Sequence, residues 1–163
     1  MDSNFKIRPI ELQDNPSVEH IIKTVMPQFG ACGDGFAIND PEVMSMFEAY
    51  QDLGRSYWVI EAQNHEVIGG AGFAELKGGE KDTCELQKMY FLEAARGHGL
   101  GQKLIELCMQ EAKKAGYKKM YIETMDNMKA AQGLYKKNGF SYIDQSLGST
   151  GHHGCNTWLI KTL

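Results

Sequence analysis

A chain of 163 residues, 42% hydrophobic and 23% charged, is long enough for one domain with a substantial core, read here as residues 1–163. Its formal net charge of −4 argues against general nucleic-acid binding, and no apolar run approaches the roughly 20 residues that cross a bilayer. Cys32, Cys84, Cys108 and Cys155 lack C-x-x-C spacing and no secretory leader precedes Asn4, which points to reduced thiols and a cytoplasmic protein.

Phe5 to Pro9 alternates as a short edge strand that Pro9 closes. Ser17 to Met26 sets Val18, Ile21, Ile22 and Val25 on one helical face, stopped by Pro27. Gln28 to Asn39, rich in glycine and small residues, reads as a loop. Asp40-Pro41-Glu42 offers an N-cap and a first-turn proline, which predicts a helix through Met44, Phe47 and Tyr50. Strands follow at Ser56–Ala62 and Val67–Leu76, and Gly69, Gly70 and Gly72 predict a bulge or a close backbone approach in the second. The loop Lys77–Asp82 leads into a strand over Thr83–Leu92. A helix then buries Leu100, Leu104, Leu107, Cys108 and Ala112 and stops at Gly116. After a strand at Lys119–Thr124, Asp126 or Asn127 caps a helix that runs through Lys137. Phe140–Asp144 and Thr157–Lys161 complete the sheet around the loop Gln145–Asn156. The order βααβββαβαββ predicts an α/β (α+β) chain: a mixed, mostly antiparallel sheet of about seven strands with about four helices on its two faces.

Between the fourth strand and the long helix lies Arg96-Gly97-His98-Gly99-Leu100-Gly101. Glycines there let a ligand approach the backbone, and the helix turns its first N–H groups and positive dipole end to the same place. Strand, glycine loop and helix start together read as a cradle for an anion, a pyrophosphate above all. The dinucleotide pattern G-x-G-x-x-G fails, because its third glycine would fall at Gln102. A Walker A loop fails too, for want of Gly-Lys-Ser or Gly-Lys-Thr.

Arg96, Gly99 and Gly101 do fill the fixed positions of [RQ]-x-x-G-x-[GA], the acyl-CoA pyrophosphate loop of the GCN5-related N-acetyltransferase (GNAT) superfamily. Ala131 to Phe140 resembles the A-x-x-L-Y-x-x-x-G-F segment of that superfamily, and Leu86 to Phe91 resembles its fourth strand. The resemblance covers about Glu85 to Phe140 in register. It implies transfer of the acetyl group of acetyl-CoA to a primary amine by direct attack through a tetrahedral intermediate, with no metal. Within it, Arg96, Gly97, His98, Gly99, Leu100 and Gly101 form the pyrophosphate loop, the His98 side chain facing solvent. The main chains of Met89 and Phe91 face the acetyl carbonyl and the pantetheine arm across a splay between the fourth and fifth strands. Tyr135 falls at the residue whose hydroxyl protonates the departing thiolate. The asparagine that many relatives place seven residues before that tyrosine is Met128 here, with Asn127 one residue early.

Amide formation needs a neutral amine, and stripping the proton from an alkylamine of pKa near 10.4 at pH 7 costs about 4.6 kcal/mol. A base must take that proton. Glu85, eleven residues before Arg96, stands where some relatives carry a catalytic glutamate; Glu123 and His152 are weaker candidates, and relatives also work through water.

Residues 1–60 hold four basic and nine acidic side chains, whereas residues 96–137 hold nine basic and four acidic ones. The second suits a phosphate-rich cosubstrate. The first, with Asp34, Asp40 and Glu42, suits a cationic small-molecule amine such as a polyamine, amino sugar or amino-acid derivative. A protein lysine or N-terminal acetyltransferase and a non-catalytic acyl-CoA-binding module are the alternatives. Dimerisation is common in the superfamily, but nothing in the sequence fixes it. His152-His153 and Cys155 sit in a loop with no second cluster to complete a tetrahedral metal site. Cys84 and Cys155 lack the neighbours of a nucleophile.

Overall fold

The computed structural model describes residues 4–163. Its strands are β1 (Phe5–Pro9), β2 (Ser56–Ala62), β3 (Val67–Glu75), β4 (Thr83–Phe91), β5 (Lys119–Thr124), β6 (Ser141–Ile143) and β7 (Thr157–Thr162). They form one sheet in the order β1-β2-β3-β4-β5-β7-β6, antiparallel everywhere except between β4 and β5. The helices are α1 (Asn15–Val25), α2 (Met46–Ala49), α3 (Leu100–Lys114) and α4 (Lys129–Lys137). No helix among the described residues is long and apolar enough to cross a membrane.

Alternation along the central strands sends side chains to two apolar layers. α1 lays Val18, Ile21, Ile22 and Val25 on the face carrying Tyr57, Val59 and Ala74. α3 lays Leu104, Ile105, Cys108 and Ala112 on the opposite face, against Trp58, Ile60, Phe73 and Leu86. Leu107 is only half-buried; the 3.6-residue period turns Ile105 inward instead.

The helix predicted from Asp40 does not form as one element. Pro41–Met44 is a 3₁₀ turn, Ser45 breaks the backbone, and α2 is a single turn. Distant contacts override the local signals: Asp40 and Glu42 turn to Lys88, and Asn15 Oδ1 accepts the Phe47 N–H at 2.7 Å. Neither Asp126 nor Asn127 caps α4, whose N-cap is Met128. Asn127 Nδ2 donates instead to the Phe29 carbonyl at 2.8 Å.

The β3 glycines do mark a close approach. A Cβ at Gly70 would lie 2.7 Å from Tyr57 Cε1, and one at Gly69 would lie 2.6 Å from Phe91 Cδ1. The extra residue of the bulge belongs to the partner strand. Gly72 pairs with Gln87 but Gly70 with Tyr90, and Lys88 in between adopts φ +48°. Tyr57 donates its hydroxyl to the Lys88 carbonyl at 2.7 Å, which satisfies the displaced backbone.

β4 and β5 pair only at Thr83 with Lys119, Cys84 with Met120 and Glu85 with Tyr121. Beyond Glu85 the strands separate, so the sheet opens into a wedge at the end where β4 leads to the glycine loop.

Candidate active site

The wedge leads into a cleft of about 290 Å³, lined by the end of β4 (Met89–Phe91), the loop residues Arg96, Gly97 and Gly99, the start of α3 and the α4 face of Leu134 and Tyr135. Gly97 and Gly99 have φ of +79° and +71°, and a Cβ at either would meet nothing within 4 Å. The loop therefore takes a left-handed backbone and leaves room over it for a ligand. Lys103 is the first amide bonded back in α3, to the Gly99 carbonyl at 3.3 Å, so Leu100, Gly101 and Gln102 present their N–H groups at the positive end of a 15-residue helix. Gly101 lets this end seat closely: a Cβ there would lie 3.2 Å from Leu134 Cδ2 and 3.4 Å from Phe91 Cε2. Apolar walls, a glycine loop and a helix start fit a nucleotide pyrophosphate with a flexible arm.

Arg96 lines this cleft, but its guanidinium is folded back. Nε and Nη2 donate to the Phe91 carbonyl at 3.2 and 3.0 Å, and Nη2 donates to Gln28 Oε1 at 3.2 Å. His98 is exposed and is not among the lining residues; its ring sits 4.7 Å from that of Phe5. Asn127 is likewise outside the lining, where Met128 takes the place.

Tyr135 is buried on α4 and borders both the cleft and a smaller cavity of about 50 Å³ between the splayed strands. Burial pushes its phenol well above the usual tyrosine range, so it keeps its proton at neutral pH. A third cavity of about 40 Å³ shares Leu86, Lys88, Tyr90, Glu123 and Cys155 with the second. Glu85 borders this third cavity and an open polar hollow of about 240 Å³ beyond it. Among the described residues, Tyr135 and Glu85 share none of these four spaces; the two small ones lie between them.

Glu85 is 4% exposed. Burial first, and the nearby Glu123 next, push its carboxyl up to about 7, against a hydrogen bond from Gln87 and the positive charges of His152 and Lys88. Gln87 Nε2 donates to Glu85 Oε1 at 2.7 Å, and Tyr50 donates its hydroxyl to Gln87 Oε1 at 2.6 Å. Glu123 is fully engaged: Tyr121 donates to Oε1 and Thr150 to Oε2, each at 2.8 Å. Lys88 Nζ, buried at the bulge, lies 3.0 Å from Asp40 Oδ2 and 3.1 Å from Glu42 Oε1. His152 Nε2 reaches Asp40 Oδ1 at 2.9 Å while Nδ1 stands 3.4 Å from Glu123 Oε2. Donor atoms of Glu85, Glu123 and His152 all lie within 4.8 Å of one another, close enough to share a cation. The sequence offers no partners for His152; the fold supplies Asp40, just before the Pro41–Met44 turn, and Glu123 on β5.

Asp40 and Glu42 are therefore paired inside the protein. Lys88 was the missed residue of this site, although a lysine within the apolar run Leu86 to Phe91 was a visible signal. Burial pushes the Cys84 and Cys155 thiols up to about 12, so neither is a thiolate at neutral pH.

The acetyltransferase (GNAT) family profile matches residues 20–140. An uncharacterized N-acetyltransferase of Escherichia coli, YjgM, is 42% identical over 96% of this chain and 94% of its own length. The acetyltransferase Atu2258 of Agrobacterium fabrum is 37% identical over 77% of this chain and 88% of its own. In fold, a GNAT acetyltransferase from Staphylococcus aureus superposes with a TM-score of 0.83 at 19% identity, covering 98% of this chain and 99% of that one. Salmonella typhimurium yncA, solved with its cofactor acetyl-CoA, gives a TM-score of 0.78 at 24% identity over 99% and 95% of the two chains. The chain belongs to the GNAT family, whose members are acetyl-CoA-dependent N-acetyltransferases.

Proposed function

We propose that this chain acetylates the primary amine of a small polar molecule, with Glu85 receiving the amine's proton and Tyr135 donating one to the thiolate of coenzyme A. The observation that carries this reading is the line of cavities from the glycine-loop cleft, past Tyr135, to a buried carboxyl with a pKa near neutrality. The pyrophosphate lies on the amides from Gly97 to Gly101 and beside Arg96, which exchanges Gln28 for phosphate. The thioester arm runs between Met89, Phe91 and Leu134 to Tyr135. β4 has no strand partner on its β5 side here, so its main chain, Met89 first, is open to the acetyl carbonyl and can stabilise the developing oxyanion.

The acceptor enters from the polar hollow. Its lining includes Tyr50, Gln87 and Thr150, and its apolar members are only the small Pro41, Ala49 and Ala74. Around the reacting end, Asp40, Glu42, Glu85 and Glu123 face the cations Lys88 and His152, a surplus of carboxylate that a substrate ammonium balances. The roof favours a small molecule over a peptide. The Gly154 N–H donates to the Gly35 carbonyl at 2.9 Å, and His152 meets Asp40, so the 30–44 and 145–156 loops join across the top. A cavity of about 40 Å³ holds on the order of two waters, which relay the proton to Glu85. A carboxyl near pH 7 accepts that proton and can release it again.

The test is release of coenzyme A thiol from acetyl-CoA across polyamines, amino sugars, amino-acid derivatives and lysine peptides. Turnover on a small polar amine is expected. Turnover confined to peptides would overturn the small-molecule reading, and acetyl-CoA binding without release from any acceptor would leave only a binding module.

A further inference from the structure

His152 comes from the loop between β6 and β7, yet its ring is 13% exposed and sits between carboxylates from two other parts of the chain. Nε2 lies 2.9 and 3.0 Å from the two Asp40 oxygens, and Nδ1 lies 3.4 Å from Glu123 Oε2. A neutral imidazole has one N–H and would set its other lone pair against a carboxylate. A ring that is hydrogen-bonded to Asp40 through Nε2 and turns Nδ1 toward a second carboxylate, Glu123, is held as an imidazolium. The same ring borders both cavities that Glu85 borders, with donor atoms of Glu85, Glu123 and His152 within 4.8 Å of one another.

We propose that His152 is a positioning residue for proton removal: a fixed cation, clamped by Asp40 and Glu123, that sets the charge of Glu85 and ties the 145–156 loop over the acceptor hollow. The inference rests on the reading of Glu85 as the base. It reverses the sequence-based view of His152 as a candidate base, since a doubly held imidazolium does not take up a further proton. The other groups around Glu85 come from every element packed on it. Gln87 and Lys88 stand on its own strand, with Glu123 and Tyr121 on β5 and Cys155 beside His152. Asp40, Glu42 and Tyr50 come from the 40–50 segment, and Arg55, Glu75 and Lys77 stand across the hollow. Among these, Lys88 is bound to Asp40 and Glu42, and Arg55 to Glu75. His152 is the cation that shares a common donor cluster with Glu85. Its own pKa, raised to about 10 by Asp40 and Glu123 against the opposing effect of burial, agrees with this arrangement.

The experiment is a pH titration of the glutamate side-chain carboxyl carbons by NMR, with the Glu85 signal assigned by E85Q, which needs no acceptor. In the unaltered protein the His152 ring signals should stay those of an imidazolium to pH 8; loss of the ring proton below that pH overturns the proposal without any variant. In H152Q the Glu85 midpoint should rise by about one pH unit, since an opposite charge has been removed. In H152K, which restores the charge, it should return most of the way. An unmoved midpoint in H152Q, or the same rise in H152K as in H152Q, would mean that the ring serves only to pack the loop. The base reading is tested separately by E85Q turnover: if that stays at the level of the unaltered enzyme while the H152Q midpoint moves, the tuning stands and the base assignment falls.

Discussion

The two ends of the proposed active site are built by different means. At the proposed cosubstrate end, residues close together in the chain line an apolar cleft: Met89–Phe91, Arg96, Gly97, Gly99–Gly101 and one face of α4. At the acceptor end, Asp40, Glu85, Glu123 and His152 come from four separate segments and meet as charges. A site common to many acceptors can be written locally, because glycine spacing and a helix start bind pyrophosphate by backbone alone. The proposed acceptor site is assembled from side chains whose partners are far away in the chain, and its pKa values follow from that assembly.

That contrast can be broken or sharpened by substitution. The largest effect is expected at the acceptor end: E85Q should lower kcat about 10³-fold, within the range for loss of a general base, with acetyl-CoA affinity unchanged. A comparable loss of acetyl-CoA binding would show that the two ends are not separable. The same variant should be the more stable protein in alkaline solution. Glu85 holds its proton up to about pH 7 in the fold but only to the ordinary glutamate range when unfolded, so its burial lowers stability as pH rises between those values. E85Q should match the unaltered protein in urea denaturation at low pH and exceed it by on the order of 2–3 kcal/mol at pH 8.

K88M leaves Asp40 and Glu42 without their shared buried cation and should cost about 3 kcal/mol, read from the same denaturation curves. A cost under about 1 kcal/mol would mean that the two carboxylates find water instead. Y135F should reduce kcat roughly 30-fold, about 2 kcal/mol, while the acetyl-CoA Kd holds within about twofold; an unchanged kcat would remove Tyr135 as the acid. The smallest effect is expected at the cradle. G99A forces an L-residue to a φ of +71° and should cost about 1 kcal/mol, seen as weaker acetyl-CoA binding with the kcat of bound enzyme preserved.

Legibility in the sequence divides along the same line. The seven strands, α1, α3 and the glycine loop follow from periodicity and turn chemistry, which act over a few residues. The 40–50 segment misleads because its helix-start residues answer to Lys88 and Asn15, distant in the chain. Asn127 looks like a cap or an arm contact by spacing, but the Phe29 carbonyl claims it. His152 and His153 look like an incomplete metal pair until the fold sets Asp40 and Glu123 against the first of them. Charge pairs between distant segments carry no periodicity, so only tertiary structure reveals them.

The brief pairing of β4 with β5 also divides the chain for folding. β2, β3 and β4 follow one another through short turns, whereas β5 reaches the sheet only after α3 has crossed over. Loop closure costs less for close-range pairings than for crossovers, so β5, β7 and β6 are expected to dock onto a β2–β4 core formed earlier. Joined to it by three register pairs, that half of the sheet should also be the first to open in native-state hydrogen exchange. On that expectation, the opening proposed to admit the substrates would also be the boundary along which the sheet first parts.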